Sequence, residues 1–193
     1  MHAIRQGDAD AFALLLGRHV DALFRYALRL CGSPDTAEDL VQETWLTVWT
    51  KAGSFKPRRA RVTTWVHRIL YHKFIDQHRK THTQAYNESD LQADSSGLDV
   101  SPNAAKLNGA LLDGTPLDAA AQEHAAPDKA WLHRALMGLP EQQRAAIVLA
   151  HAQGFNNKDI AHILGASVRA VESLLARARR SLRREYNHWT KGS

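Results

Sequence analysis

The chain has 193 residues, a formal net charge of +5, 7% aromatic residues and one cysteine, Cys31. A single cysteine excludes an internal disulfide and a multi-cysteine zinc finger. No uninterrupted apolar run approaches a membrane span and no charged-then-apolar signal opens the chain, so the expectation is a soluble intracellular protein without membrane insertion. Helix-period spacing dominates and strand-like alternation is scarce, which predicts an all-α protein of one or two domains. The charge is unevenly laid out. Residues 1–50 hold 4 Lys/Arg against 7 Asp/Glu (net −3), and residues 51–80 hold 9 against 1 (net +8). Residues 81–128 hold 1 against 8 (net −7), and residues 129–193 hold 11 against 4 (net +7). Two basic blocks separated by an acidic one point to polyanion binding at two places.

In chain order, Asp8 or Asp10 can cap a first helix reaching Cys31. Phe12, Leu15, Leu16, His19, Leu23, Tyr26, Ala27 and Leu30 form its apolar stripe, and Gly32 ends it. Ser33-Pro34-Asp35 opens a second helix with a serine cap, a first-turn proline and an acid at the positive end of the dipole. That helix runs to about Lys51, with Ala37, Leu40, Val41, Trp45 or Thr44, and Val48 inward. Asp35, Glu38, Asp39, Gln42 and Glu43 lie on its polar side, and Gly53 comes just past the end. Pro57 then breaks the chain in a basic loop of Lys56, Arg58, Arg59 and Arg61. Thr63 or Thr64 can cap a third helix running to about Lys80. It carries Trp65, Val66, Ile69, Leu70, Phe74 and Ile75 on apolar faces and His67, Arg68, Tyr71, His72, Lys73, His78, Arg79 and Lys80 elsewhere. Cations interleaved with aromatic rings suit single-stranded or unstacked DNA, since cations track phosphates and rings stack on bases.

Residues 81–127 read as an acidic, flexible linker, rich in Ala, Ser, Asn, Gly and Asp, with a weak helix signal from about Ala104 to Leu112. A second domain, 128–193, opens at Pro127-Asp128. Asp128 can cap a helix carrying Ala130, Trp131, Leu132, Ala135 and Leu136; Gly138-Leu139-Pro140 turns, and a helix from about Glu141 to Gln153 closes at Gly154. GFNNKDIAHILGASVRAVESLLARARRSLRREY follows, from Gly154 to Tyr186. Its first helix is expected at about Asn157–Leu164. Gly165 takes the left-handed conformation that ends it, and Ser167 caps the next helix. Val171, Leu174 or Leu175, Ala178 and Leu182 make that helix's apolar stripe, and arginines fill its other faces. This is the grammar of a helix-turn-helix, whose second helix enters the DNA major groove. The domain is thus a four-helix unit.

No Gly-rich phosphate loop, serine elbow or histidine–glutamate zinc helix is present, so no enzyme activity and no cofactor are expected. His67, His72, His78 and His82 lack an accompanying carboxylate or thiolate cluster, and no metal site is assigned to them.

The ordered set of motifs resembles the bacterial RNA polymerase sigma factors of the two-domain, extracytoplasmic-function (ECF) type. DTAEDLVQETWLTVW (Asp35 to Trp49) resembles that family's core-polymerase-binding helix. FKPRRARVTTWVHRILYHKFIDQHRK (Phe55 to Lys80) resembles its segment that melts and reads the −10 promoter element. The stretch from Leu139 to Glu185 resembles its −35-reading module, with Leu139-Pro140, Gln143-Arg144, Gly154, Ile160-Ala161, Gly165, Val171, Ser173, Arg177 and Arg179 at matching positions. The resemblance implies residues 1–80 as region 2 and 128–193 as region 4. It implies core-polymerase binding by Asp35, Glu38, Asp39, Gln42 and Glu43, docking on the clamp helices of the largest subunit. It implies −10 contacts by Lys56, Arg58, Arg59, Arg61, Thr64, Trp65, Arg68, Tyr71, His72 and Arg79. At the −35 element it implies Ser167, Arg169, Glu172, Ser173, Arg177, Arg180, Arg183 and Arg184. Partners implied are core RNA polymerase, promoter DNA and an anti-sigma factor, in the bacterial cytoplasm. His72 stands where asparagine is usual, and Ala170 and Glu172 replace the common threonine and lysine; Glu172 could accept from a cytosine amino group. The rival reading is a conventional helix-turn-helix regulator that binds an operator without being a polymerase subunit.

Overall fold

The first half of the chain is built on three long helices. After a short helix α1 (His2–Arg5), α2 spans Ala9–Cys31, with Asp8 Oδ1 accepting from the Ala11 amide at 2.9 Å. Of the two acids proposed as its cap, Asp8 is therefore the one used. Gly32 ends α2 at φ 77°, and Ser33 Oγ accepts from the Thr36 amide to open α3 (Pro34–Thr50). A 3-10 turn at Ala52–Ser54 leads through the basic loop into α4 (Val62–Ser89). Neither Thr63 nor Thr64 caps α4: the helix already includes both, and its first turn closes from the Trp65 amide to the Arg61 carbonyl at 3.0 Å. α4 also runs past the Lys80 end expected from sequence, to Ser89. This computed structural model describes residues 1–89 and 129–192, all-helical with no strand among them. The possible helix 104–112, the Asp128 cap and most of the expected linker lie outside the described residues.

The second half comprises α5 (Lys129–Met137), α6 (Glu141–His151), α7 (Asn157–Leu164) and α8 (Val168–Gly192). Asn156 Oδ1 accepts from the Asp159 amide at 2.9 Å and starts α7; Gly165, at φ 67°, ends it. Ser167 Oγ accepts from the Ala170 amide at 3.1 Å, so the Gly165 stop and the Ser167 cap are as expected from sequence, and the Asn156 cap adds to them. At its far end α8 packs against α5 through Trp131, Tyr186 and Trp189, whose ring centroids lie 5.7–6.2 Å apart.

One contiguous cluster of buried side chains runs through both halves. In the first, Leu23, Tyr26, Ala27 and Leu30 of α2 meet Ala37, Leu40, Val41, Trp45 and Val48 of α3 and Val66, Leu70, Tyr71 and Phe74 of α4. Both Thr44 and Trp45 are buried, so the two alternatives offered by the helical period are both inward. Thr44 is accommodated because its hydroxyl donates back to the Leu40 carbonyl at 2.7 Å. In the second, Ile160 and Ile163 of α7 meet Val171, Leu175, Ala178 and Leu182 of α8, with Leu174 only half-buried. Helix α6 joins the two: Gln143 through Leu149 are buried without a break, because α2 covers one side while α7 and α8 cover the others.

The contact between halves is polar as well as apolar. Gln153 Nε2 donates to the Ala22 carbonyl at 3.2 Å, and His78 Nδ1 lies 3.1 Å from Glu141 Oε1. Arg144 is buried with its guanidinium 6.0 Å from the centre of the Phe74 ring and donates to Met137 Sδ. Met137 in turn lies so close to Gly32 that a Cβ there would meet its sulfur at 2.7 Å. The His67 ring is sandwiched between Tyr26 (5.3 Å) and Phe155 (4.8 Å).

Leu149→Ala should cost about 2–5 kcal/mol, the range for a fully buried leucine, because neighbours on every side limit collapse into the cavity. Urea unfolding with an unchanged m-value would measure it. Burial, only partly offset by hydrogen bonding of the ring to the Thr63 carbonyl and to Gln153, pushes the His67 imidazole below its ordinary value. A folded pKa below the unfolded one makes stability complete above about pH 6.5 and lost as pH falls through the folded value. His19, His72 and His151, also lowered chiefly by burial, add with the same sign. Denaturant midpoints should therefore drop between pH 7.5 and pH 5, and His67→Gln should shallow that drop.

Candidate nucleic-acid interface

Three surfaces carry the residues singled out from the sequence. The first is the outer face of α8. At about 100° per residue, Arg169, Glu172, Ser173, Arg177, Arg180, Arg183 and Arg184 fall within an arc of about 140°, while Ser167 caps the helix ahead of it, outside that arc. The buried stripe of Val171, Leu175, Ala178 and Leu182 lies on the opposite side. All eight are exposed except Arg184, which is half-buried. The helix is thus gripped on one side and offers five guanidinium groups and the Ser173 hydroxyl on the other. Such a face suits major-groove entry. Arg179 lies off this arc, its Nη2 3.5 Å from His151 Nε2.

The second surface is the acidic side of α3. Asp35, Glu38, Asp39, Gln42 and Glu43 are all exposed. Glu43 Oε2 accepts from Lys73 Nζ at 3.0 Å, which ties α3 to α4. Sequence reading missed Leu46, which joins this face at helical spacing from Asp39, Gln42 and Glu43 and is 64% exposed. Its signal was an apolar residue at a polar position of the period.

The third surface is the basic loop with α4, and here the residues separate. Lys56, Arg58, Arg59 and Arg61 are exposed on the loop. Trp65 is half-buried, its ring 5.4 Å from buried Phe55, and His72 is exposed. Arg79 is exposed and bonded to Asp76 one turn earlier at 3.4 Å. Three others are not presented to solvent in the way the sequence suggested. Tyr71 is 3% exposed, and burial drives its hydroxyl up to about 12; it is a core residue between α2 and α4, so its ring is not offered to a base. Thr64 is buried, its Oγ1 donating to Asp159 Oδ1 of α7 at 3.3 Å. Arg68 donates from Nη1 to the His162 carbonyl of α7 at 2.6 Å. Sequence reading did not foresee Asp159 and His162 in these roles, since nothing local to them signals a partner almost a hundred residues away.

No group of three or more metal-ligating side chains occurs among the described residues. No described helix is long and apolar enough to cross a membrane. Cys31 is half-buried, and burial raises its thiol to about 11 despite nearby Arg144, which makes it unreactive.

The family profile described as Sigma-70 region 2 matches residues 15–83, and that of Sigma-70, region 4 matches residues 129–182. The chain is 33% identical over 186 residues to the ECF RNA polymerase sigma factor SigM of Mycobacterium tuberculosis, covering 96% of this chain and 82% of SigM. It is 27% identical over 182 residues to SigW of Bacillus subtilis, covering 94% and 92%. The fold matches the sigma factor RpoE of Bartonella quintana, solved in complex with the anti-sigma factor NepR, at a TM-score of 0.68 and 28% identity, over 93% of this chain and 98% of that one. CnrH, solved with the cytosolic domain of CnrY, shares the fold at a TM-score of 0.64 and 22% identity, over 100% and 96%. With both sigma-70 regions matched in order and a relative 33% identical over nearly its whole length, the chain belongs to the ECF family of RNA polymerase sigma factors.

Proposed function

We propose that this chain binds core RNA polymerase in the bacterial cytoplasm and directs it to a small set of promoters, under the control of an anti-sigma factor. The observation that carries the reading is the outer arc of α8, where arginines and the Ser173 hydroxyl face solvent opposite a fully buried stripe. α8 reads the −35 duplex, the acidic side of α3 with Leu46 docks on the clamp helices, and the loop Lys56–Arg61 with Trp65 and His72 receives the −10 strand as it unpairs. Extruding a base costs a few kcal/mol, which stacking and a fitted pocket offset. Tyr71 takes no part in that stacking and holds the α4 backbone in place from within the core. The chain performs no chemistry itself; catalysis belongs to the polymerase. An operator-binding regulator is not favoured, because it leaves the acidic face of α3 and the basic loop without a task.

Run-off transcription with purified core polymerase, on promoter fragments from the source genome, should give new specific start sites only when the protein is added. Tight duplex binding by the protein alone, with no new starts, would favour the operator-binding reading. Arg177→Ala should lower −35-dependent transcription about tenfold, the worth of one good base or phosphate contact, with core binding unchanged. A parallel loss of core binding would show that the division of labour between α3 and α8 is wrong.

A further inference from the structure

We propose that Glu172, with Val168 one turn before it, selects the bases that α8 accepts: a C·G pair at the carboxylate and a T·A pair one or two steps away at the valine methyls. The inference rests on α8 reading a DNA duplex and adds to that reading which base pairs it selects.

Glu172 has no task inside the protein. It is exposed, and it enters none of the ion pairs among the described residues. It does not cap α8. Ser167 Oγ already accepts from the Ala170 amide, and the position from which a glutamate would complete that cap is held by Ala170 itself. Nor does it serve the helix dipole: the first turn of α8 carries no acid, and Glu172 lies past the turn in which free amides act. Its neighbours one turn to either side on the same face, Val168 and Ala176, are uncharged. A carboxylate on a surface of arginines weakens attraction to every phosphate nearby. A hydrogen bond to one base offsets that loss only in duplexes that carry this base, so the residue discriminates between sequences by penalising the wrong ones.

The chemistry of the groove names the base. An ionised carboxylate only accepts hydrogen bonds. Guanine shows N7 and O6 in the major groove and thymine shows O4, all acceptors that repel it. Adenine has an amino group, but its N7 lone pair stands beside it. Cytosine offers the N4 amino group with no acceptor next to it in the groove, and is therefore the match. Val168 supplies the second observation. It is the first residue of α8, is 37% exposed, and is one of three large apolar side chains that stand out from the surface of the described residues. The thymine methyl is the apolar group that the major groove presents to such a side chain. Side chains four apart on a helix have Cβ atoms about 5–6 Å apart, and base pairs step by about 3.4 Å, so the two contacts fall one or two base pairs apart. Both residues lie at the start of α8, the end that a recognition helix turns to base edges. A lysine at position 172, common in the family, donates and suits guanine. The duplex read by this chain therefore differs from that of lysine-bearing relatives at one base pair.

The test is selection of bound duplexes from a randomised pool by the full chain, with and without core polymerase, followed by sequencing. The expected wild-type motif contains a C·G pair and, one or two steps away, a T·A pair. Glu172→Ala should lose the preference at the C·G position alone, about tenfold, while binding duplexes that lack this pair about threefold more tightly. Glu172→Gln should change that position to A·T, since an amide both donates and accepts, and Glu172→Lys should change it to G·C. Val168→Ser should relax the T·A position and leave the other in place. All of these positions are exposed, so the variants keep the fold. An unchanged motif in the Glu172 variants, a uniform gain in affinity with no change of motif, or no enriched motif from the wild-type chain would overturn the inference. Run-off transcription decides the sigma-factor reading separately, because an operator-binding protein would also enrich a duplex motif but would start no transcripts.

Discussion

Helix α6 has no solvent face from Gln143 to Leu149, and the rest of the structure is arranged around that constraint. A helix buried on every side needs apolar partners all round and must satisfy whatever polar groups it carries. α7 and α8 supply the partners from its own half, and α2 supplies them from the other. Arg144 is the cost of this arrangement. Its charge sits between the halves against Phe74 and Met137, and burial pulls its pKa down while the nearby Glu141 carboxylate pulls it up. That one residue makes the junction both specific and imperfect.

Charge is partitioned by surface and not only by segment. The acids of α3 face outward on one side of the first half, and the cations of the 56–61 loop face outward elsewhere. The arginines of α8 cover the side of that helix away from the core. The charge runs seen in the sequence therefore become separate fields, each suited to one partner, with little mutual neutralisation; Lys73–Glu43 is the main place where the acidic and basic surfaces of the first half meet. Long-range attraction from such fields speeds and orients association with DNA more than it strengthens the final complex.

The aromatic rings show how one residue type serves different ends. Phe12 packs edge-on to Trp45 and Trp49, and Trp131, Tyr186 and Trp189 pin the end of α8 to α5. On α4, Trp65 and His72 leave ring surface available next to the basic loop. On composition alone Tyr71 was indistinguishable from these two. Its burial is decided by the packing of α4 against α2, which no local pattern encodes.

Sequence by itself determined the elements and the faces. The Asp8, Ser33, Asn156 and Ser167 caps, the left-handed Gly32 and Gly165, and the inward stripes of α2, α3 and α8 follow from side-chain oxygens, glycine's freedom and the 3.6-residue period, all of which act within a few residues. The acidic α3 face and the arginine arc of α8 were legible for the same reason. Tertiary structure alone decided that Thr64 and Arg68 are held by α7, that Tyr71 is core, that α6 is buried all round, and that the two halves share one interior. Each of these depends on the packing of helices far apart in the chain, where shape and the pairing of single polar atoms decide the contact. Periodicity says which side of a helix is buried, but not against what.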